Sequence, residues 1–429
     1  MTVSSTGDRV RDRLPAAVGL WGPDAVRPGT TGDAVDGDVP GIVLEPTDRN
    51  MVSAMLRWAN TDGVRLVIRG HGTKLTWASV GQRPDAVLST IGLVSGFDHQ
   101  AGDLTAVLPA GMSIGAANDA LKSHQQWLPL DPASPMATIG GLVATNDSGP
   151  HRHRFGTVRD LIIGVDIALA DGRLAQGGGR VVKNVAGYDL PRLMCGSFGS
   201  LGVVVGAIFK LSPIAGASQT VVANARDAGE CLRLAGQIGA AGCVPSTLEV
   251  SGPPFRLLIR FESIGPAVQQ QANAVAALCE AGGAATALYQ GDDEAEVWRR
   301  HRLDGGKAGE TSIIRISVVP TKLAGALAVL DSPASPQGLR IRVIGRLGVG
   351  VLVVQMTGAA DARAHLVAAV RSEVAPHGGH LAVIASERAF RERVDPWGPP
   401  GDAFRVMRSL KQQFDPNGIL NPGRGPGGL

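Results

Sequence analysis

The stretch Val64–Lys74 has the sequence VRLVIRGHGTK, in which an apolar strand runs directly into a glycine loop. The loop completes no nucleotide fingerprint: the third glycine of GxGxxG would stand where Leu75 is, and GxxxxGK[ST] occurs nowhere in the chain. What remains is a run of exposed amides beside the hydroxyl of Thr73 and the cation of Lys74, a combination that suits a pyrophosphate. A plain glycine turn between two strands explains the same residues equally well.

Two further segments are rich in small residues. Pro135–Asn146, PMATIGGLVATN, brackets a glycine pair with threonines and an asparagine, so that backbone and short hydroxyls can approach a flat or charged ligand. Gly196–Gly202, GSFGSLG, places a glycine at every third position before the apolar strand Val203–Leu211. Close packing of a small helix on a sheet, or of one strand on its neighbour, accounts for each segment taken alone. Both interpretations stay open at this point.

The composition restricts the classes of function. A chain of 429 residues exceeds what one hydrophobic core serves, so two domains are expected. A net charge of +3 and an aromatic content of 4% argue against a nucleic-acid partner. The cysteines form no CxxC pair, which disfavours zinc ribbons and iron–sulfur clusters and suits a reducing cytoplasm. No signal-peptide pattern and no apolar run of ~18–20 residues is present, so membrane contact is expected to be peripheral at most.

Changes in amino-acid composition and hydrophobic pattern divide the chain into four segments. Residues 1–37 are polar and predict a weakly ordered N-terminal arm with one short helix. Residues 38–214 hold the glycine segments between short strands, with a helix that has Thr47 as its N-cap and stops at Gly63. Residues 215–385 are Ala-rich and alternate strands with helices, which predicts a second α+β domain. Residues 386–429 carry one helix near 404–414 and then an Asp-Pro-Asn-Gly turn.

Taken in chain order, seven segments match a known pattern. They are Arg69-Gly-x-Gly-Thr-Lys, Ala137-Thr-Ile-Gly-Gly-Leu-Val-Ala-Thr-Asn, Phe155-Gly-Thr-Val-Arg-Asp, Ala170-Asp-Gly, Val182-Lys-Asn-Val-Ala-Gly-Tyr-Asp-Leu, Gly196-Ser-Phe-Gly-Ser-Leu-Gly and Phe414-Asp-Pro-Asn-Gly-Ile-Leu-Asn-Pro-Gly-Arg424. They resemble the FAD-linked oxidases of the vanillyl-alcohol oxidase and p-cresol methylhydroxylase family. Within that family the segments are most similar to the FAD-binding E subunit of bacterial glycolate oxidase, also called glycolate dehydrogenase.

The resemblance implies an α+β fold with a two-lobed PCMH-type FAD-binding domain over 38–214. An α+β cap or substrate domain is inserted over 215–385, and the C-terminal segment 386–429 returns to complete the FAD site. The implied cofactor-binding residues are Arg69, Gly70, His71, Gly72, Thr73 and Lys74 at the pyrophosphate; Pro132, Thr138, Gly140, Gly141, Thr145 and Ser148 along the ribityl chain and flavin, with Thr157 and Asp160 in the same turn; Val165 at the adenine edge; Gly199, Ser200 and Gly202 where the sheet approaches the cofactor; and Asn421 and Arg424 towards the flavin ring.

The pyrophosphate loop also bears on how the flavin is held. Some family members attach it covalently through a histidine that follows a glycine pair in this loop. The matching position here is Thr73, whereas His71 lies between the two glycines. The resemblance therefore implies non-covalent FAD, and the role of His71 stays open.

The largest departure from the family concerns catalysis. Related D-lactate and D-2-hydroxyglutarate dehydrogenases carry a Gly-Asp-Gly-Asn-x-His stretch that takes part in binding a metal and the hydroxy acid. Here Pro376-His-Gly-Gly-His380 is only a remote echo of it, and Phe198 stands where many relatives have Glu. The E subunit shares the absence, while its sister D subunit carries the catalytic residues. The resemblance thus implies an FAD-dependent oxidoreductase for glycolate or a related 2-hydroxy acid, with no metal site and no identified catalytic residue of its own.

The implied partners are a glycolate oxidase-like catalytic FAD subunit and an iron–sulfur subunit, in the cytoplasm or at the inner face of the cell membrane. Two alternatives stay open: a stand-alone FAD dehydrogenase of another alcohol or 2-hydroxy acid, and a non-catalytic scaffold that retains the fold. The basic run His151-Arg-His-Arg154 has no carboxylate or Cys beside it, so a solvated surface turn or an anion contact is favoured over a metal site. Lys183 and Tyr188 are acid–base candidates, and Arg346 or Arg388 could receive a carboxylate, but the sequence singles out none.

Overall fold

The computed structural model describes residues 13–77, 79–180, 187–303, 309–331 and 338–429. The strands are β1 Val26–Pro28, β2 Ile42–Leu44, β3 Leu66–Arg69, β4 Ala86–Ser89, β5 Asp98–Gln100, β6 Thr105–Pro109, β7 Gln126–Trp127, β8 Ile162–Ala168, β9 Leu174–Gly178, β10 Val203–Lys210, β11 Ser212–Pro213, β12 Ala217–Asn224, β13 Thr247–Gly252, β14 Arg256–Ser263, β15 Ala285–Tyr289, β16 Thr311–Ser317, β17 Arg340–Arg346, β18 Val351–Thr357 and β19 His380–Ala385. The helices are α1 Leu14–Trp21, α2 Arg49–Asp62, α3 Ile114–Leu121, α4 Ile139–Thr145, α5 Arg152–Phe155, α6 Val158–Leu161, α7 Leu190–Met194, α8 Ala228–Ala240, α9 Gly265–Ala281, α10 Gly291–Arg300, α11 Leu323–Leu330, α12 Ala360–Val374, α13 Arg388–Arg393 and α14 Phe404–Phe414.

The chain separates into two compact units that each combine helices and sheets. The first unit consists of Met1–Ser148, Gly156–Ile214 and Pro399–Leu429, and the second of Gly149–Phe155 and Ala215–Gly398. The longer segment of the second unit starts at Ala215, where the sequence predicted the second domain to begin, but Gly149–Phe155, which the prediction placed in the domain over 38–214, also belongs to the second unit. Its end at Gly398 replaces the predicted end at residue 385, because α13 belongs to it: Phe390 is 1% exposed within its hydrophobic core.

Two sheets organise the first unit. One has the strand order β1-β2-β4-β3, in which β2, β4 and β3 are parallel and β1 is antiparallel to β2. The other has the order β5-β6-β10-β8-β9 and is antiparallel throughout. Side chains such as Leu44, Leu66, Leu108 and Phe209, from strands of both sheets, share one core, and burial of this apolar surface is the main force that stabilises the unit.

Helix α2 follows the amphipathic pattern that the sequence predicted, with one correction at its start. Val52, Met55, Leu56 and Ala59 are buried, and Gly63 closes the helix with φ +64, in the left-handed region that glycine adopts at low cost. The N-cap is Asp48 rather than Thr47, since the Asp48 carboxylate accepts hydrogen bonds from the amides of the first turn. A carboxylate also interacts favourably with the positive end of the helix dipole.

Residues 13–37 do not form the weakly ordered arm that the polar composition predicted for residues 1–37, of which residues 1–12 lie outside the described residues. Residues 13–37 are part of the first unit, with Ala17 and Val26 buried in its core. Trp21 of α1 packs edge-on against Trp58 of α2, with ring centroids 5.6 Å apart. Strand β1 pairs with β2, so the segment adds an edge strand to the first sheet.

The second unit is built on one eight-stranded antiparallel sheet of order β15-β12-β14-β13-β17-β18-β16-β19. Helices α8, α9, α11 and α12 contribute their apolar faces to its core, as Leu234, Val275, Leu327 and Val370 show. This agrees with the α+β domain predicted from the alternation of strands and helices.

Of the two alternatives expected for the basic run 151–154, the structure shows the anion contact and not the solvated surface turn. Most of it lies in the short helix α5, and His151 is 7% exposed. His151 Nε2 lies 2.9 Å from a carboxylate oxygen of Glu262, and the Arg154 guanidinium donates to the Glu262 carbonyl at 2.8 Å. The carboxylate that the sequence seemed to lack comes from β14, more than 100 positions along the chain.

Within the described residues, no helix is long and apolar enough to cross a membrane.

Candidate functional site

The first unit carries an open cleft of about 770 Å³, a volume that includes its solvent-filled mouth. Most of the residues that the sequence nominated for cofactor binding line it together. They are Arg69, Gly70, His71, Gly72, Thr73, Lys74, Thr138, Gly140, Gly141, Thr145, Gly199, Gly202, Asn421 and Arg424. The structure thus gathers the glycine loop, the small-residue segment, the second glycine run and the C-terminal segment around one space.

The glycine loop forms one wall of the cleft. It begins where β3 ends, and Gly72 has φ +72, a conformation that turns the following backbone outward. The backbone N–H groups of residues 71–74 donate to no acceptor within the described parts of the chain. Several adjacent amides without acceptors form a concavity that attracts anions, as the sequence predicted for this loop.

Gly70 is where the loop approaches the opposite wall most closely. A methyl group placed on Gly70 would lie 2.9 Å from Thr138 Cγ2 and 3.0 Å from Thr138 Cβ. Contacts that short do not occur between carbon atoms without a shift of one of them. Glycine is therefore required here for close approach between the loop and the start of α4.

Helix α4 offers small side chains rather than free amides. Thr138 is its N-cap and accepts from the Gly141 amide at 3.3 Å, while the amides of Ile139 and Gly140 donate to carbonyls of Met112 and Ala110. A Cβ on Gly140 would lie 3.1 Å from Ala110 Cβ, so the helix sits directly on the residues that follow β6. The small residues of α4 thus provide a smooth wall and leave the anion-binding groups to the loop.

Three cations line the cleft, and each has an aspartate partner. The shortest distance between a side-chain nitrogen and a carboxylate oxygen is 2.7 Å for Arg69 and Asp33, 2.8 Å for Arg424 and Asp36, and 3.2 Å for Lys74 and Asp147. Hydrogen bonds from Arg27, Arg69 and Thr30 outweigh burial and hold the pKa of Asp33 well below its usual range, so this carboxylate stays ionised. Two of these aspartates come from the N-terminal segment, which therefore contributes to the charge balance of the cleft.

The C-terminal segment contributes Asn421 and Arg424 to the lining of the cleft. Asn421 Oδ1 accepts from the Ile68 amide at 2.9 Å, and its Nδ2 donates to the Phe198 carbonyl at 2.5 Å. The ammonium of Lys411 donates to the carbonyls of Ser200 and Leu420 and pairs with Asp415. Asn421 thus joins β3 to the second glycine run, and the flavin contact expected for it from sequence stays a prediction.

Six nominated residues do not line the cleft: Pro132, Ser148, Thr157, Asp160, Val165 and Ser200. Asp160 accepts from the amide and hydroxyl of Thr157 at 2.8 and 2.9 Å, so both residues serve as the capping box of α6. Val165 lies in β8, which is paired with β10 on one edge and β9 on the other. Its backbone is therefore committed to the sheet and is not available to pair with an adenine edge.

Eight lining residues were missed by the sequence analysis: Val67, Ile68, Leu75, Trp77, Thr90, Ala144, Phe198 and Val204. Thr90 directly follows β4, whose parallel neighbour β3 ends at the glycine loop. Because parallel strands bring their carboxyl ends to one edge of a sheet, this position could have been found from topology. Phe198 has φ +52, and no sequence pattern marks that conformation in a non-glycine residue.

The donor set fits an extended nucleotide cofactor. The glycine loop offers amides without acceptors and the Lys74 ammonium to a diphosphate, and the glycines of α4 and of the second glycine run leave space in the cleft for a planar ring.

Among the described residues, no group of three or more His, Cys, Asp or Glu side chains could hold a metal ion. His377 and His380, the remote echo of a metal motif, are both exposed. Lys183 and the start of the segment Val182–Leu190 lie outside the described residues.

Comparison with known families agrees with this fit. The chain matches the FAD binding domain family over residues 40–178 and the family of FAD linked oxidases, C-terminal domain, over residues 240–383 and 396–424. The chain belongs to the FAD-linked oxidases, and it is an FAD-dependent oxidoreductase with a PCMH-type fold. Among solved structures, p-cresol methylhydroxylase matches with a TM-score of 0.75 over 99% of this chain and 97% of that one, at 14% identity.

Individual relatives are named for two related activities. Glycolate oxidase subunit GlcD of Bacillus subtilis is 28% identical, over 90% of this chain and 89% of the relative. D-lactate dehydrogenase of Archaeoglobus fulgidus is 28% identical, over 89% of this chain and 90% of the relative. Glycolate oxidase subunit GlcE of Escherichia coli is 38% identical, but over only 36% of this chain. The resemblance to the oxidase family is confirmed, whereas the expected likeness to an E subunit holds for a part of the chain and a D subunit matches nearly all of it.

Proposed function

We propose that this chain is the FAD-binding subunit of a complex of the glycolate oxidase type and takes part in the oxidation of glycolate or a related 2-hydroxy acid, such as D-lactate. The observation that carries the proposal is the near-complete match to relatives named for glycolate oxidase and D-lactate dehydrogenase, combined with an intact cofactor cleft. When bound, FAD supplies a hydride acceptor for the carbon that carries the hydroxyl group. The chain's own loop amides and Lys74 bind and orient the cofactor.

The proposal of partner subunits rests on what the sequence lacks. The Gly-Asp-Gly-Asn-x-His stretch of metal-dependent relatives is missing, and the described residues assemble no metal site in its place. A catalytic FAD subunit would supply the substrate-activating groups, and an iron–sulfur subunit would receive the electrons. We place such a complex in the cytoplasm, with peripheral contact at the inner membrane face through its partners; the four free cysteines suit that compartment.

A stand-alone dehydrogenase is the second candidate. It is favoured by the match to a D-lactate dehydrogenase over about nine-tenths of both chains. In that case a 2-hydroxy acid or another alcohol would be oxidised by this chain without partners. A scaffold that no longer binds flavin would be a third outcome, and it would contradict both candidates.

Anaerobic reduction of the bound flavin separates these possibilities. The purified chain is mixed with glycolate, D-lactate or, as the matched control, L-lactate, and the flavin absorbance is followed; the same series is run on the chain co-purified with its partner subunits. Bleaching by glycolate or D-lactate only in the complex supports the first candidate, and bleaching in the isolated chain supports the second. A flavin that none of these acids reduces, in either preparation, would overturn the assignment of substrate class.

A further inference from the structure

The three cations of the cleft differ in how firmly their partners hold them. Arg69 pairs with Asp33, which a second arginine, Arg27, also holds at 2.7 Å. Arg424 pairs with Asp36 and also donates to the Leu75 carbonyl. Arg424 therefore cannot turn towards a ligand without breaking several interactions. Among the described residues Arg69 makes one ion pair, but its aspartate is shared with the guanidinium of Arg27.

Lys74 is held differently. Its ammonium lies 3.2 Å from one carboxylate oxygen of Asp147 and 3.5 Å from the Thr73 hydroxyl, which is the limit for a hydrogen bond. Among the described residues, Asp147 is its only charged partner, and Lys74 is the only one of Asp147. Four flexible methylene groups carry the charge of Lys74, so its ammonium can change partners while the backbone stays in place.

The pair is also buried. The side chains of Lys74 and Asp147 are 9% and 11% exposed. An ion pair in that environment is weakly screened by salt, and either partner left alone there pays a large desolvation cost. The amides of residues 71–74, which lack acceptors among the described residues, lie on the same loop as the ammonium. A diphosphate bound to those amides brings two negative charges to Lys74, against the single charge of Asp147.

We propose that Asp147 is a cofactor-positioning residue that holds Lys74 before the cofactor binds and yields it to the cofactor diphosphate on binding. Asp147 then loses its only ion-pair partner among the described residues, and a buried charge left without a partner costs free energy. The carboxylate and the diphosphate therefore compete for one ammonium, and removing the charge of Asp147 is expected to strengthen cofactor binding. The inference concerns cofactor binding alone and does not depend on the identity of the substrate.

The test is calorimetric titration of FAD into flavin-free full-length chain. Asp147→Asn is expected to bind FAD about tenfold more tightly than the wild-type chain near pH 7, because no carboxylate competes for Lys74. General damage to the cleft would weaken binding instead. Asp119→Asn, on the exposed face of α3, makes the same charge change and is the control.

Weaker binding of FAD by the Asp147→Asn chain than by the wild-type chain would overturn the inference, and Asp147→Ser, which makes the same charge change, gives a second test. Equal affinities of the Asp147→Asn and Asp119→Asn chains would overturn it as well. These outcomes are distinct from a failure of the proposed function, which concerns reduction of the bound flavin by a 2-hydroxy acid.

Discussion

Replacing Gly70 by alanine is expected to weaken FAD binding while leaving most of the fold intact. The added methyl would lie 2.9 Å from Thr138 Cγ2 and 3.0 Å from Thr138 Cβ, so the loop must move away from α4. Overpacking of this kind costs about 1–3 kcal/mol. Because FAD binding needs the loop in its original position, the cost falls on binding, and it corresponds to roughly tenfold to a hundredfold weaker affinity.

The assay is quenching of flavin fluorescence by the flavin-free chain, with thermal unfolding of the same samples as a check on folding. Gly102→Ala is the matched control, since a Cβ at Gly102 meets nothing within 4 Å and its backbone needs no positive φ. A double-mutant cycle identifies the cause. In a Thr138→Ala chain the clash is partly relieved, so Gly70→Ala should cost at least about 1 kcal/mol less there. Equal costs in the two backgrounds, or wild-type affinity of Gly70→Ala, would refute the explanation.

Three further predictions concern the contacts that support the two units. Asn421→Ala removes the hydrogen bonds to the Ile68 amide and the Phe198 carbonyl, a loss of about 1–3 kcal/mol for each group, so it should lower the midpoint of unfolding in urea. Asn417→Ala, at an exposed position, should not lower that midpoint. Equal midpoints of the two variants would contradict this prediction. Glu249 is fully buried between His301 at 3.0 Å and Arg346 at 3.4 Å, so Glu249→Gln should lower the free energy of unfolding, measured with denaturant, by about 3–5 kcal/mol. Glu392→Gln, which breaks an exposed pair with Arg388, should lower it by less than about 1 kcal/mol. Similar losses in the two variants would count against the buried pair. Burial raises the pKa of Glu262, but the hydrogen bond and charge of His151 outweigh it and lower that pKa from 4.5 to about 2. The ionised carboxylate therefore stabilises the fold above pH 4.5 and loses this contribution, at most about 3 kcal/mol, as pH falls from 4.5 to about 2. The difference in melting temperature between the wild-type chain and Glu262→Gln should shrink over that pH range. A constant difference would exclude the ion pair as its cause.

Elements with a strong local signal were predictable from the sequence. Helix α14 spans 404–414 and helix α11 spans 323–330 as their apolar spacing predicted, and Gly63 ends α2 as expected. The glycine loop and the segment around Gly140 were recognised as candidate walls of one site, and both line the cleft. In these cases the residues that decide the structure lie within a few positions of one another.

The parts that were missed depend on contacts between distant positions. Asp33 and Asp36 lie in a polar segment that has no local pattern, yet their partners Arg69 and Arg424 stand 36 and 388 positions further along the chain. His151 likewise finds Glu262 only through the fold. Val165 has the apolar neighbours of any strand, and only the sheet order shows that both edges of β8 are occupied. Local sequence patterns do not carry such pairings.

The central claim is that the glycine loop, the start of α4 and the C-terminal segment form one FAD site. The most direct measurement is the absorbance spectrum of the purified chain, taken before and after acid precipitation and after incubation with FAD. We predict a yellow protein with about one flavin per chain, released into the supernatant by acid because no covalent bond holds it. A colourless chain that acquires no flavin on incubation, and whose melting temperature FAD does not change, would contradict the claim.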